Sequence, residues 1–385
     1  MTLGSSLHQL ERSAFVLQEA AFRQNLETIR GVAQAADVEI ILALKAFSFW
    51  PAFSIAAEYL PGATASSLNE ALLVRQHFGV KPHVYCPAYR PAEFERLLQV
   101  AGPLTFNTLS EYERYAERAR AKGISCGLRI NPMYSDVETA LYNPANPQGR
   151  LGTPMDEVPE HLPAGLEGIH VHTLCESPAA TTVELIDRLT SKLDVWLQHL
   201  KWLNLGGGHL MTRADYDRNE LIAGLQRLRV RYPRLRVILE PGSAHAWQAG
   251  VLVAHVLDLP THHERTTAML DVSFTCHMPD VLEMPYMPRV RGARVAAEAE
   301  NPQSQHVYAL GGMSCLAGDA IAPYCFDEAL EVGDTVVFED MLHYTTVKTT
   351  TFNGVPHPDL VIERLDGTLE LMRRFDYSDF ESRLG

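Results

Sequence analysis

Between residues 38 and 242 the chain repeats one pattern. A short apolar run rich in β-branched residues is followed by a polar stretch whose apolar positions recur every three or four residues. The apolar runs are "EIILALKA", "GATASS", "HVYCPA", "LTFNTL", "CGLRINP", "GIHVHTL", "WLNLGGG" and "RVILEPG". Stretches such as "LNEALLVRQHF", "PAEFERLLQVA" and "SEYERYAERARAKG" read as the amphipathic helices between them. Strands that alternate with helices make parallel βαβ units. Eight such runs predict a (β/α)8 barrel, an α/β fold with its site at the C-terminal ends of the strands. The longest irregular connection, roughly 131 to 165, is rich in Pro, Gly and Asn. It reads either as a cover for the barrel mouth or as a surface excursion.

After Gly242 the alternation stops. "VLVAHVLDL", "TAMLDVSF", "HVYAL", "DTVVFED" and "LELMRRF" are strand-like runs between Gly, Pro and Asp turns. They predict a C-terminal, mostly antiparallel β domain. The expected division is a barrel over 34–260 and a β domain over 261–385, with 1–33 joining the latter. Composition narrows the function classes. A net charge of −14 argues against a nucleic-acid surface. No apolar run reaches the ~20 residues of a membrane span, and the first residues lack the pattern of a signal peptide. Six cysteines without a CxxC pair suggest reduced thiols in a cytoplasm.

The chemistry lies at the strand ends. The first strand leads into Lys45, the fifth into Arg129 and the sixth into His170 and His172. The seventh ends in Gly206-Gly207-Gly208-His209 and the eighth in Glu240-Pro241-Gly242. Three successive glycines let backbone N–H groups wrap an anion, and the loops after strands seven and eight form the usual phosphate site of such barrels. A lysine among apolar walls and cations has a lowered pKa and can form a Schiff base. A lysine beside a phosphate cradle suits an aldehyde cofactor that bears a phosphate, which is pyridoxal 5′-phosphate. Glu240 could then keep the pyridine nitrogen protonated and His172 could lie against the ring. The same residues admit two other readings. The H-x-H spacing with His209 and Glu240 could hold a metal, giving a metal-dependent barrel hydrolase, or the barrel could bind a cofactor without catalysis. A lysine at a strand end is also a common solvated cap.

The ordered set "LALKAF", "HVHTLCES", "LNLGGGH", "EPG", "GGMSCLAGD" and "FEDMLHYTTVKTTTFNG" covers nearly the whole chain. It resembles the fold-type III pyridoxal-phosphate decarboxylases, the group of alanine racemase, ornithine decarboxylase and diaminopimelate decarboxylase. Within that group "HTLCES", "FTCHMPDVLEMPY" and "SCLAGD" are most similar to the carboxynorspermidine/carboxyspermidine decarboxylases. The resemblance implies that Lys45 carries the cofactor and that His172 stacks on its ring. It implies Arg129 near the cofactor, Gly206, Gly207 and Gly208 as the phosphate loop, Glu240 on the pyridine nitrogen and Tyr344 reaching the phosphate. It also implies a homodimer, in which Cys315 and Asp319 of one copy enter the site of the other and Cys315 protonates the carbanion.

The departures bear on the substrate. Relatives follow the second histidine with Gly-Ser, where this chain has Thr173-Leu174-Cys175. An arginine often follows "EPG", and here it is Ser243. Diaminopimelate decarboxylases carry an arginine before "PALY", where this chain has Glu283 in "LEMPY". An arginine there would hold a distal carboxylate. Glu283, with Asp280 and Asp319, favours a distal ammonium instead. The expected reaction is decarboxylation of a carboxylated polyamine, carboxynorspermidine or carboxyspermidine. The alternative is another basic amino acid: diaminopimelate, ornithine or arginine.

Overall fold

The structure, a computed structural model, describes residues 7–139, 142–283, 285–298 and 306–385. It divides into two compact units, residues 24–245 and residues 1–23 with 246–385.

The 24–245 unit is the parallel barrel. Its strand order is Glu39–Ile40, Arg236–Leu239, Trp202–Asn204, Gly168–His170, Cys126–Asn131, Leu104–Phe106, His83–Tyr85, Ala63–Ala65 and Leu42–Ala43. The first and last of these are halves of one run, split at Ile41. The Ile41 N–H donates to Leu239 O at 2.9 Å and the Leu42 N–H to Gly62 O at 3.0 Å. The same run thus meets both ends of the sheet, so the sheet is nearly closed and has little free edge. All eight apolar runs lie in it.

Side-chain alternation explains the interior. Gly127, Gly168, Trp202 and Ile238 stand one pleat below Arg129, His170, Asn204 and Glu240 on the same strands. Trp202 fills the lower layer against Ile41 and Ile238. A Cβ at Gly168 or Gly127 would come within 2.0 or 2.2 Å of the Trp202 ring, so only glycine leaves room for the indole. The strand ends above this floor are polar and face the mouth. Three of the helices begin on capping side chains: Ser67 accepts from Glu70 N–H, Thr108 from Glu111 N–H and Asp217 from Glu220 N–H. The 131–165 connection is partly ordered by the sheet, since Thr153–Pro154 pairs with Ile130–Asn131.

The second unit is a mixed sheet in the order Ala293–Val295, Ala320–Phe326, His306–Gly311, Arg265–Leu270, Gly250–Asp258, Ala14–Gln18, Asp359–Glu363 and Leu369–Arg373. Most pairings are antiparallel. Ala14–Gln18 with Asp359–Glu363 and Arg265–Leu270 with His306–Gly311 are parallel. Phe15, Leu252 and Phe338 pack on one face and Val16, Val251, Val253 and Val337 on the other, so both faces are buried. The unit begins at residue 246, whereas the sequence placed the change at 261. The reason is Gly250–Asp258, which pairs with Ala14–Gln18 and Thr335–Glu339.

Two buried imidazoles of the barrel unit, His209 and His245, make its stability pH-dependent. Burial lowers each to about 4. Their neutral forms belong to the fold, and the unfolded chain binds more protons between pH ~6.5 and ~4. The contribution is therefore complete above pH ~6.5 and is lost as pH falls through about 4, with an upper bound on the order of 3 kcal/mol per group. The urea midpoint should fall steadily from pH 7 to pH 4.5, and the fall should shrink in the His209→Gln and His245→Gln chains. A flat midpoint over that range would remove these groups from the account.

Candidate active site

The first strand ends at Ala43, and the chain then turns: the N–H groups of Ala46 and Phe47 both donate to Ala43 O. Lys45 stands on this turn, two residues past Ala43 and so on the barrel's inner face. Its side chain is open to solvent, yet protein walls surround the amine. Burial lowers its pKa, Glu240 draws it back up and Arg129 presses it down, with a net lowering. Lys45 Nζ lies 3.1 Å from His172 Nε2.

The tautomer of His172 follows from its other nitrogen. Nδ1 accepts from the Gly207 N–H at 2.7 Å. The ring proton of the neutral form is then on Nε2, facing Lys45. A ring N–H can donate to Nζ only when Nζ is a free amine. Burial, with the Arg129 charge beside it, holds His172 well below its ordinary pKa, which agrees with the neutral ring. The geometry fits an unprotonated, nucleophilic lysine, and the lowering of Lys45 runs in the same direction.

Glu240 is 8% exposed and doubly held: Oε1 lies 2.7 Å from His170 Nε2, and Oε2 accepts from Asn204 Nδ2 at 3.0 Å. Burial alone would raise its pKa, but the His170 and Asn204 side chains bonded to it outweigh burial and hold it at about 2. His170 is lowered by burial, and a neutral ring that donates Nε2–H to the carboxylate fits both directions. Asn204 also accepts the Gly206 N–H at 2.8 Å, while the Glu240 N–H donates to Gly206 O at 2.8 Å. The ends of strands seven and eight are thus stitched together around the carboxylate.

The three glycines are required sterically. Gly206 and Gly208 have φ of +70° and +93°. A Cβ would come within 2.6 Å of His172 at Gly206, 2.7 Å of Glu240 O at Gly207 and 2.4 Å of Leu174 at Gly208. The loop therefore lies against the histidine strand with no space for side chains. Its Gly206 and Gly207 amides are already committed, to Asn204 and His172.

Lys45, Arg129, His172, Gly206, Gly207, Gly208 and Glu240 thus meet at one barrel mouth. His170, His172 and Glu240 also lie close enough to share an ion, with ligand atoms within 4.8 Å of one another. His209, the fourth member of the rival metal set, is not among them. Its Nδ1 is 3.0 Å from Thr182 Oγ1 in the interior. Asn204 and Tyr85 were not singled out from the sequence. Asn204 was legible as the residue two before Gly206 on the inward face; Tyr85 had no flag except its inward parity.

The remaining candidates lie in the other unit. Asp280 and Glu283, on the short helix Asp280–Glu283, both accept from the Lys348 ammonium. Lys348 is raised to about 12: burial opposes the shift, but its bonds to the two carboxylates outweigh it. Asp319 is buried, and its carboxylate accepts from Thr275 N–H and Ser314 N–H, each at 3.0 Å. Cys315 is exposed, and its N–H donates to Asn353 Oδ1 at 2.8 Å. Tyr344 has φ +56°, and its ring stands edge-on to His343 at 6.3 Å.

Comparison with known proteins gives the family. The family model described as pyridoxal-dependent decarboxylase, C-terminal sheet domain, matches residues 52–341. A carboxyaminopropylagmatine decarboxylase of Synechocystis sp. is 47% identical over 98% of this chain and 97% of its own. A carboxynorspermidine/carboxyspermidine decarboxylase of Campylobacter jejuni is 36% identical over 97% of this chain and 99% of its own. The crystal structure of carboxynorspermidine decarboxylase from C. jejuni, complexed with norspermidine, superposes with a TM-score of 0.89 at 34% identity. It covers 97% of this chain and 100% of that one. Diaminopimelate decarboxylase from Helicobacter pylori shares the fold, with a TM-score of 0.80 at 18% identity. The chain is a carboxy-lyase and belongs to the pyridoxal-dependent decarboxylases.

Proposed function

We propose that the chain binds pyridoxal 5′-phosphate at the barrel mouth and decarboxylates a carboxylated polyamine. The observation that carries this reading is the meeting of Lys45, His172 and Glu240 above a glycine loop that admits no side chain. A flat ring needs such bare backbone beside it, and an aldehyde needs an unprotonated amine, so the residues present fit the cofactor. Lys45 would hold it covalently, and His172 would lie against its ring. Glu240 would face the pyridine nitrogen. A carboxylate has about four acceptor positions, and His170 and Asn204 take two, so a third partner fits. Gly206 and Gly207 serve close approach. The phosphate would draw on Gly208, the loop after Glu240, and Tyr344. When bound, the cofactor supplies the sink for the electron pair left as carbon dioxide departs. Glu240 would keep negative charge opposite that sink, Lys45 would give up the cofactor to the substrate's amine and take it back as product leaves, and Cys315 would deliver the proton to Cα. Asp319 contributes by fastening the Ser314 end of the loop that carries Cys315. A homodimer in the cytoplasm, with the 315–319 segment supplied by a second copy, completes the reading.

The substrate class rests on the two full-length relatives. Carboxynorspermidine, carboxyspermidine and carboxyaminopropylagmatine share an amino-acid head joined through a secondary amine to a cationic tail. The relative at 47% identity favours a guanidinium at the end of that tail. The acidic pair Asp280 and Glu283 suits either cation, and Lys348 sits where such a tail would compete. Carbon dioxide release should be measured with these three compounds, ornithine, arginine and diaminopimelate. The three should exceed diaminopimelate in kcat/KM by at least ~10²-fold. A chain that prefers diaminopimelate would end the polyamine reading.

A further inference from the structure

We propose that Tyr85 is a positioning residue that sets the guanidinium of Arg129 and ties it to the connection between the fifth and sixth barrel strands. The inference rests on the functional reading above and on the place near the cofactor that the family resemblance implies for Arg129. Arg129 is 4% exposed, so its charge must be held by surrounding groups. Four contacts hold it, one of them a hydrogen bond from its guanidinium to the Tyr85 hydroxyl. Its Cζ lies 4.6 Å from the centre of the Tyr85 ring. One guanidinium nitrogen donates to His172 O at 2.9 Å. Its Cγ is 3.1 Å from where a Cβ on Gly152 would stand, so the stem runs along bare backbone. The ring supplies the only aromatic face among these contacts, and a buried cation is drawn to such a face. The same ring meets His170 at 5.3 Å, so one side chain touches both Arg129 and the partner of Glu240.

The phenol end explains why the residue is tyrosine. Its O–H donates to Asn107 Oδ1 at 2.8 Å. That oxygen also accepts the Gly152 N–H at 2.7 Å, and Asn107 Nδ2 donates to Arg150 O at 2.8 Å. Asn107 is itself fixed through its N–H to Glu111 at 2.9 Å. Thr153 then pairs with Ile130, the neighbour of Arg129. Residues 150–153 are thereby clamped against Arg129 from two sides. The ring and the hydroxyl are separable: removing the hydroxyl takes away one bond to Arg129 but leaves Asn107 holding Gly152 and leaves the aromatic face in place.

The test compares Tyr85→Phe, which keeps the ring, with Tyr85→Met, which fills the space without one; Tyr85→Leu is a second ring-less variant. Each is titrated as apoprotein with pyridoxal 5′-phosphate, followed by absorbance, and its thermal midpoint is recorded without cofactor. Phe should stay within about threefold of the wild-type Kd, and Met should weaken it about tenfold at a similar midpoint. In an Arg129→Lys background the Met change should cost nothing further, because it acts through the arginine. Additive losses, or Phe and Met chains that weaken binding equally or not at all, would overturn the assignment to Tyr85 alone. A wild-type chain that takes up no pyridoxal phosphate would instead overturn the functional reading on which it stands.

Discussion

Replacing Lys45 with methionine should abolish carbon dioxide release, by roughly 10⁴-fold in kcat, and should leave a chain that borohydride cannot fix to the cofactor. The wild-type chain should show a band near ~420 nm, and borohydride should carry the label onto the peptide that contains Lys45. The selectivity follows from the surroundings. Lys45 is lowered by burial, and its Nζ lies 3.1 Å from a ring nitrogen of His172. Lys348, by contrast, is bonded to Asp280 and Glu283, which raise it to about 12 and keep it protonated. A free amine attacks an aldehyde; a paired ammonium does not. Methionine keeps the length and apolar volume of the stem, so the apoprotein should unfold at a similar temperature. Label on any other lysine, or turnover near wild type, would remove Lys45 from the centre of the site.

The extent to which this site was legible follows from parity. A barrel strand points alternate residues inward, and the residue at or just past its end must face the mouth. Lys45, Arg129, His172 and Glu240 could be read that way because each ends an apolar run. The glycine triplet was legible as a unit, but its reason was not. The sequence suggested amides offered to an anion. The structure shows two amides already bonded and a backbone pressed against His172 and Leu174. Partners at long range leave no local signature. Nothing near Asp280 announced that Lys348, 68 residues on, would neutralise part of the acidic pair. Tyr85 and Gly152 meet only through the fold. Likewise the texture of Gly250–Asp258 matched the runs after it, but the pairing with Ala14–Gln18 that moves the boundary ahead of it is a long-range contact.

Glu240→Gln should lower kcat by about 10²–10³-fold while leaving the chain folded at pH 7. The carboxylate is ionised across the working range, since the His170 and Asn204 side chains bonded to it overcome burial and hold it at about 2. Glutamine matches its shape and can accept from Asn204 or His170 but brings no charge. Two consequences can be read separately from turnover. Glu240 raises Lys45 against burial, so its loss should lower the lysine further and move the acidic limb of the pH–rate profile to lower pH. The stability term is also removed. A carboxylate with a depressed pKa stabilises the fold above the ordinary carboxylate range, and that term fades as pH falls from ~4.5 toward about 2. The variant should therefore lose stability at pH 7 yet show a flatter acid-unfolding curve than wild type between those values. The cofactor should still bind, through Lys45 and the glycine loop. Wild-type kcat together with an unmoved acidic limb would mean that the charge on Glu240 faces nothing in the reaction. The pairing of His170, Asn204 and Glu240 would then be a structural buttress of strands seven and eight.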